Sequence, residues 1–103
     1  MEKIIPPTGF RYLPGHLDVA RQEALIRTIR SVSREAPFFR PTMPRSGRPF
    51  SVEMTNAGPL GWISDRAGYR YVAAHPLTGG PWPPIPDALL DLWRQVTDYP
   101  APP

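Results

Sequence analysis

The sequence contains no cysteine and only two histidines, His16 and His75. The lack of cysteine excludes a disulfide framework, a zinc finger and a thiol nucleophile. Two imidazoles are too few for a histidine-rich metal site, and no serine, histidine and aspartate have the spacing of a catalytic triad. A glycine-rich phosphate loop is also missing. From its residue chemistry alone, the chain is not predicted to be a self-sufficient enzyme.

Long hydrophobic runs are missing as well. No apolar stretch approaches the ~20 residues that a membrane span needs, and the N-terminal residues do not have the pattern of a signal peptide. We therefore expect a cytoplasmic protein with no membrane partner. The 103 residues provide room for one domain, and a content of 41% hydrophobic and 20% charged residues is typical of a folded chain.

Arginine and proline are abundant instead. The sequence has 12 basic and 9 acidic residues, and Lys3 is the only basic residue that is not arginine. Between Arg27 and Arg48, the only acid among the arginines is Glu35. A basic N-terminal half indicates a polyanion partner such as nucleic acid, and the alternative is a solvated helix face that binds nothing. The 16 prolines are concentrated near the C-terminus, which reads as a linker or as the start of a strand that continues beyond it.

Two helices are predicted from the spacing of apolar residues. The first spans 18–35, with Asp18 as its N-cap, and the second spans 86–98, with Pro86 suited to its first turn. In both segments the apolar side chains recur at intervals of three and four residues, which places them on one face of the helix. Each helix therefore needs another element to cover that face.

Short strands complete the predicted fold. Residues 8–13 and 50–56 alternate between apolar and polar side chains, as half-buried strands do. Two more strands flank the turn at 66–68, so that residues 50–73 are expected to form a small antiparallel sheet of two hairpins. The fold class is thus α+β, with both helices packed on one face of the sheet through four apolar side chains: Ile26, Ile29, Leu89 and Trp93.

Aromatic and arginine side chains alternate closely in residues 62–71. Rings that stack on unpaired bases, together with guanidinium groups that meet phosphates, are typical of proteins that bind single-stranded nucleic acid. The alternative is that the aromatic rings belong to the core of the sheet. Tyr69 and Tyr71 would share one face of a strand and Arg70 would lie on the other, where it would be no more than a solvated residue.

Residues 51–86 resemble the AlkB family of iron- and 2-oxoglutarate-dependent dioxygenases, which repair alkylated DNA and RNA. Four motifs carry the resemblance: Ser51-Val52-x-Met54-Thr55-Asn56, Leu60-Gly61-Trp62, Arg66-x-Gly68-Tyr69-x-Tyr71, and Pro76-x-Thr78-x-x-Pro81-Trp82-Pro83. They occur in order and at matching spacing, and the first predicted helix also fits the N-terminal region of the family. The likeness covers nearly the whole chain, so residues 1–103 are interpreted as one domain or fragment.

The resemblance implies that this segment is the nucleotide-recognition lid that precedes a jelly-roll catalytic core. It assigns substrate-binding roles to seven residues: Trp62, Tyr69, Arg70, Tyr71, Met54, Arg66 and Ser51. Trp62 is expected to stack on the flipped methylated base, and Tyr69 with its two neighbours to contact the nucleotide and its phosphates. Met54 would line the base pocket, Arg66 would lie near the substrate, and Ser51 would make a polar contact. The implied partner is single-stranded alkylated DNA or RNA.

The catalytic part of the family pattern is missing from the chain. The iron ligands and the arginines that bind 2-oxoglutarate belong to the jelly-roll core, which is expected to follow Tyr99-Pro100. The chain is therefore expected to bind neither Fe(II) nor 2-oxoglutarate, which the full-length enzyme would hold. The loop 44–49 also differs, since it looks longer and more basic than the Gly-rich turn usual in the family.

Two interpretations of the chain remain open. It is either the recognition portion of an AlkB-like demethylase, whose partner is the missing catalytic core, or a small stand-alone nucleic-acid or protein-interaction module. In the second case Trp82, Trp93 and the proline-rich segment would form a docking surface.

Overall fold

The computed structural model describes residues 8–103, in which two helices flank one hairpin. Helix α1 spans Val19–Glu35, strands β1 (Gly61–Asp65) and β2 (Gly68–Val72) form the hairpin, and helix α2 spans Asp87–Val96. The α+β composition predicted from the sequence is confirmed. Neither described helix combines the length and the apolar character that crossing a bilayer requires.

The ends of the helices follow from local signals. The Asp18 carboxylate accepts a hydrogen bond from the Arg21 N–H at 2.8 Å, so that this residue caps α1 as predicted. The Ala36 N–H donates to the Val32 carbonyl, and Pro37 follows directly. Helix α2 begins after Pro86 and ends with the Thr97 N–H on the Trp93 carbonyl.

The hairpin pairs β1 and β2 in antiparallel register. Trp62 lies opposite Tyr71, Ile63 opposite Arg70, and Ser64 opposite Tyr69. The Asp65 carboxylate accepts from the Ala67 N–H at 2.8 Å and closes the tight turn, which is a common use of aspartate at this place. The hairpin therefore has a fixed register, and this decides which side chains share a face.

The predicted strands at 50–56 and 8–13 are wrong. Residues 50–56 make one isolated bridge, in which Met54 and Phe39 exchange both backbone hydrogen bonds at 2.8 Å. The segment that faces them is rich in proline, and a proline has no N–H to continue a ladder. Residues 8–13 have no partner strand within the described part of the chain, so the sheet is one hairpin and not two.

Loops supply most of the core. The central core consists of Ala36, Phe39, Ile63, His75 and Trp82, and only Ile63 lies in a strand. The rings of Phe39, His75 and Trp82 pack with centroids 5.0–5.9 Å apart. The Trp82 indole N–H donates to the Val72 carbonyl at 2.8 Å. A Cβ on Gly61 would overlap this indole, so glycine at that position allows the close approach.

Polar bonds hold His75 in the central core. Its Nδ1 accepts from the N–H groups of Leu77 and Thr78, so the proton is on Nε2, which donates to the Pro37 carbonyl at 2.6 Å. Both ring nitrogens thus tie the proline-rich segment to the end of α1. The buried imidazole has a structural role here, because no ring nitrogen is left for another partner.

The prediction that both helices pack on the sheet is wrong. Among residues 8–103 the helices contact each other, but neither lies against the hairpin. Ile26 and Ile29 are 48% and 49% exposed, and no residue of either helix is buried. The reason is that loop side chains already fill the inner face of the hairpin. The molecule is consequently extended, with a radius of gyration of 16.8 Å against about 13 Å for a compact chain of this length.

Candidate nucleic-acid interface

One side of the hairpin carries an aromatic face, formed by Trp62, Tyr69 and Tyr71. The three side chains share a face because Trp62 pairs with Tyr71, and Tyr69 is two residues away on the same strand. The rings of Trp62 and Tyr69 are stacked, with centroids 5.6 Å apart and planes at 24°. Phe50 packs on the other side of Trp62 at 6.1 Å. The structure therefore brings together the three aromatic residues that the sequence analysis singled out.

The aromatic face points away from the central core. Ile63 is buried in that core, and the alternation along β1 places its neighbour Trp62 on the opposite side. Tyr69 is 58% and Tyr71 is 68% exposed, while Trp62 is half-buried between Phe50 and Tyr69. Exposed ring faces are available to stack on a base, and an indole also attracts a cation. This arrangement can receive a flat and positively charged ligand.

Two side chains from the loop that precedes β1 help to fix the backbone of Trp62. The Asn56 side-chain amide donates to the Trp62 carbonyl at 3.0 Å, and the Thr55 hydroxyl donates to the Ala36 carbonyl at 2.8 Å. Both donors are half-buried. They connect β1 to the end of α1, so the position of Trp62 is fixed by polar contacts as well as by ring packing.

Arg70 lies on the other face and is bound to a carboxylate. Its Nη1 and Nη2 donate to Oδ1 and Oδ2 of Asp65 at 2.7 and 2.9 Å, which is a bidentate pair. The Arg70 hydrogen bonds, followed by the bond from the Ala67 N–H, lower the pKa of Asp65 below its usual value. The same contact raises the pKa of Arg70. The predicted phosphate contact of Arg70 therefore has a competitor within the hairpin.

Arg66 lies at the hairpin turn and reaches the loop 44–49. Its Nη2 donates to the Ser46 carbonyl at 3.4 Å, and its guanidinium lies against the backbone of Gly47. The side chain is exposed. The structure thus connects Arg66 to the basic loop and not to the aromatic face.

Met54 and Ser51 complete the set of residues that the resemblance assigns to substrate binding. Met54 is half-buried and packs against the central core, where it bridges to Phe39. Ser51 is exposed and follows Phe50 in the chain. Their roles in a base pocket and in a polar substrate contact stay predictions.

Sequence reasoning missed two parts of this site. The strand predicted at 50–56 includes Phe50, whereas in the structure the Phe50 ring packs on Trp62. Asp65, the partner of Arg70, was not considered, although the turn at 66–68 makes residues 65 and 70 close neighbours across the hairpin. The turn residues are the signal that would have revealed this pair.

The described residues do not fit an iron site. His16 and Asp18 have a His-x-Asp spacing that the sequence analysis overlooked, but Asp18 caps α1 and His16 Nε2 lies 3.0 Å from the Gln95 side-chain oxygen. Both nitrogens of His75 are occupied by backbone groups. Within residues 8–103 no three histidine or carboxylate side chains are grouped as metal ligands.

Comparisons with known proteins agree with the resemblance. The profile of the 2OG-Fe(II) oxygenase superfamily matches residues 9–102. The chain is 48% identical over 97 residues to the alpha-ketoglutarate-dependent dioxygenase AlkB homolog of Caulobacter vibrioides, which covers 92% of this chain and 43% of the relative. It is 43% identical over 74 residues to the alpha-ketoglutarate-dependent dioxygenase AlkB of Escherichia coli, covering 72% and 34%. The chain spans less than half the length of these curated relatives.

Proposed function

The chain belongs to the 2OG-Fe(II) oxygenase superfamily, and on this basis we propose that it is the substrate-recognition portion of an AlkB-like dioxygenase that repairs alkylated DNA or RNA. The observation that carries the proposal is the aromatic face, in which Trp62 and Tyr69 are stacked and the tyrosine rings are exposed. Oxidative removal of a methyl group needs a base that has left the helical stack. A surface that replaces part of the lost stacking makes this extrusion less costly.

The aromatic face favours a methylated base through its charge. Alkylation of a ring nitrogen leaves some bases positively charged, and an indole or phenol face attracts a cation by about 0.5–2 kcal/mol beyond ordinary stacking. Stacking itself contributes about 1–3 kcal/mol per base. Trp62 is held by Phe50, Tyr69 and the bond from Asn56, so little ordering is required of it on binding.

We expect catalysis to belong to the jelly-roll core, which the resemblance places outside this chain. Fe(II) and 2-oxoglutarate are the cofactors of the superfamily, and the residues described here do not fit an iron site. The exposed apolar side chains of α1, Ile26 and Ile29, are suited to pack against the catalytic core. We expect the aromatic face to hold the substrate while that core supplies the chemistry.

The alternative of a protein-docking module has less support. It relied on Trp82 and Trp93 as a docking surface, but Trp82 is buried in the central core. Trp93 is half-buried and its indole N–H donates to the Ala101 carbonyl at 2.9 Å. Neither of the two tryptophans predicted to form the docking surface is therefore an exposed ring.

The proposal is tested by replacing Trp62 and measuring two affinities. The 103-residue chain and its Trp62→Ala variant are titrated with a single-stranded oligonucleotide that carries one cationic methylated base, and with its unmethylated counterpart. We expect the variant to bind the methylated strand about 5- to 150-fold more weakly, which corresponds to one stacked base. The ratio of the affinity for the methylated strand to the affinity for the unmethylated strand is expected to fall towards one.

A Trp93→Ala variant is the matched control, because it removes an indole that lies on α2 and not on the aromatic face. It should leave the ratio unchanged. Melting curves of both variants separate loss of binding from loss of folding. A folded Trp62→Ala protein with the ratio of the parent chain would rule out the stacking role.

A further inference from the structure

A buried histidine lies in the central core, and the function proposed above does not use it. His75 is 1% exposed, so its ring has almost no contact with solvent. Histidine is the side chain that ordinarily gains or loses a proton close to neutral pH. The central core, which supports the hairpin, thus contains a group that mild acid can charge.

The hydrogen bonds of the imidazole require its neutral form. Nδ1 of His75 accepts from the Leu77 N–H at 3.0 Å and from the Thr78 N–H at 3.3 Å, and Nε2 donates to the Pro37 carbonyl at 2.6 Å. A second proton would sit on Nδ1 and point at two N–H donors. Both donors would then lose their acceptor inside the core, which is costly. The charged ring is therefore incompatible with this set of bonds.

The surroundings of the ring do not compensate for an added charge. Residues 73–86 contain no acidic or basic side chain apart from His75 itself. The charged side chains of the end of α1, of the segment around Phe39 and of the hairpin are exposed or paired with each other: Arg34, Glu35, Arg40, Glu53, Asp65 and Arg70. In the part of the chain that the structure describes, the imidazole bonds to backbone groups alone.

The His75 ring supports the hairpin through Trp82. The centroids of the two rings are 5.0 Å apart. The Trp82 indole lies so close to Gly61 that a Cβ there would overlap it, and its N–H donates to the Val72 carbonyl at 2.8 Å. Gly61 and Val72 pair with each other, directly beside the pair that carries the aromatic face. A displacement of the indole would therefore reach that face through one step of the ladder.

A second connection runs from the imidazole to β1 through the end of α1. The Pro37 carbonyl accepts from Nε2, and the neighbouring Ala36 carbonyl accepts from the Thr55 hydroxyl at 2.8 Å. The next residue, Asn56, donates to the Trp62 carbonyl at 3.0 Å. The imidazole thus holds together two segments that each contact the strand of the aromatic face.

We infer that His75 is a positioning residue for the aromatic face, and that it holds this face in place only while its imidazole is neutral. This inference rests on the proposed function. Proton uptake at Nδ1 breaks the bonds to Leu77 and Thr78 and loosens Trp82 beneath the hairpin. The neutral ring is lost as the pH falls through the range in which imidazoles take up a proton, so binding weakens in mild acid.

The test compares the pH profiles of the parent chain and of two variants. His75→Gln keeps an acceptor and a donor on one side chain but takes up no proton, and His16→Gln removes the other histidine of the sequence. Melting curves and titrations with the methylated and unmethylated oligonucleotides are recorded from about pH 7.5 to about pH 5.5. All three proteins meet the same oligonucleotides, so any change in the charge of the base cancels in the comparison.

We expect the melting temperature of the parent chain to fall by about 5 °C or more over this range. Its affinity for the methylated strand should fall by about tenfold, which lies within the contribution of one stacked base. His75→Gln should start from a lower affinity, because an amide does not reproduce both contacts of the ring, but its two profiles should be flat. His16→Gln should keep the parent profiles, since a charged His16 can still donate to the Gln95 side-chain oxygen 3.0 Å away.

Nitrogen signals of the imidazole rings test the same inference without a variant. In the 15N-labelled chain at about pH 7.5, His75 should be neutral with its proton on Nε2. Proton uptake by this ring should coincide with a shift of the Trp82 indole signal. This measurement decides the question even if His75→Gln fails to fold.

Three results would overturn the inference. The first is a parent-like profile in His75→Gln, and the second is a flat profile in His16→Gln. The third is a folded chain in which His75 is protonated and the Trp82 signal has not moved. In each case the proposed function stands if Trp62→Ala still lowers the affinity ratio at the upper pH. The proposed function fails on its own if Trp62→Ala leaves that ratio unchanged while the melting profile still depends on His75.

Discussion

The central core and the two helices use similar apolar side chains but bury them to very different extents. Every apolar residue of the central core is at most 7% exposed, whereas Ile26 and Ile29 of α1 are about half exposed. The core is also tied by buried polar bonds, such as that of the Trp82 indole to Val72. The helices have cap bonds but no buried side chain. Stability and the position of the aromatic face therefore depend on the core, while the helices keep an apolar face available.

This difference bears on how the chain functions. The aromatic face is built on β1 and β2, whose other side contributes Ile63 to the central core and Val72 to its margin. A binding surface on a packed element loses less freedom on binding than one on a mobile loop. The half-exposed apolar side chains of α1, in contrast, are open to contact with another surface, as the proposed docking on a catalytic core requires. In the proposed function the hairpin provides recognition, and the helices provide docking.

The largest expected effect comes from disturbing the central core. Trp82→Ala removes a buried indole that contacts Phe39 and His75 and bonds Val72, and it should destabilise the chain by about 3–5 kcal/mol. Gly61→Ala should act on the same contact, because its Cβ would overlap the indole. Chemical denaturation of both variants measures the loss. Trp93→Ala is the control, and a loss as large as that of Trp82→Ala would remove the distinction between core and helices.

A much smaller effect is expected on the helix face. Ile26→Ser together with Ile29→Ser changes two half-exposed side chains, so the free energy of unfolding of the chain should change by less than about 1 kcal/mol. The same denaturation experiment checks this value. If the double substitution unfolds the chain, Ile26 and Ile29 contribute to the stability of the fold as core residues do. That result would contradict the distinction between the central core and the helices.

The smallest effect concerns the ion pair of the hairpin. The pKa of Asp65 is lowered in the folded chain, chiefly by Arg70, so the pair stabilises the fold above the ordinary aspartate pKa of 3.8. This contribution is lost as the pH falls through the lowered pKa. The pair is exposed to solvent, and we expect a slight difference in melting temperature between the parent chain and Asp65→Asn at pH 7. The difference should vanish in strong acid, and one that grows there would contradict the assigned cause.

The sequence predicted those elements that depend on neighbouring residues. Both helices, the cap at Asp18 and the turn at 66–68 were predicted from local patterns, and the structure confirms them. The strand at 50–56 failed because alternation reports a half-buried surface but not whether the facing segment has free N–H groups. Prolines in that segment prevented the ladder. Alternation of apolar and polar residues therefore predicts a strand only where the facing segment has N–H groups to pair with it.

The central core could not be predicted in the same way. Ala36, Phe39, His75 and Trp82 come from irregular segments with no period, and only the tertiary fold brings them together. The shared face of Tyr69 and Tyr71 was predicted correctly, because two residues that are two apart in a strand point to the same side. The position of Trp62 on that face required the pairing with Tyr71, which the structure supplies. The pairing of Arg70 with Asp65 required the register of the hairpin, which the structure supplies.

The indole N–H resonances of the three tryptophans provide the most direct test of the central claim. Trp62 lies on the aromatic face, Trp82 lies in the central core, and Trp93 lies on α2. The 15N-labelled chain is titrated with the methylated single-stranded oligonucleotide, and the three signals are followed. We predict that the Trp62 signal shifts while those of Trp82 and Trp93 stay in place. A stationary Trp62 signal, with a shift confined to Trp93, would contradict the assignment of recognition to the hairpin.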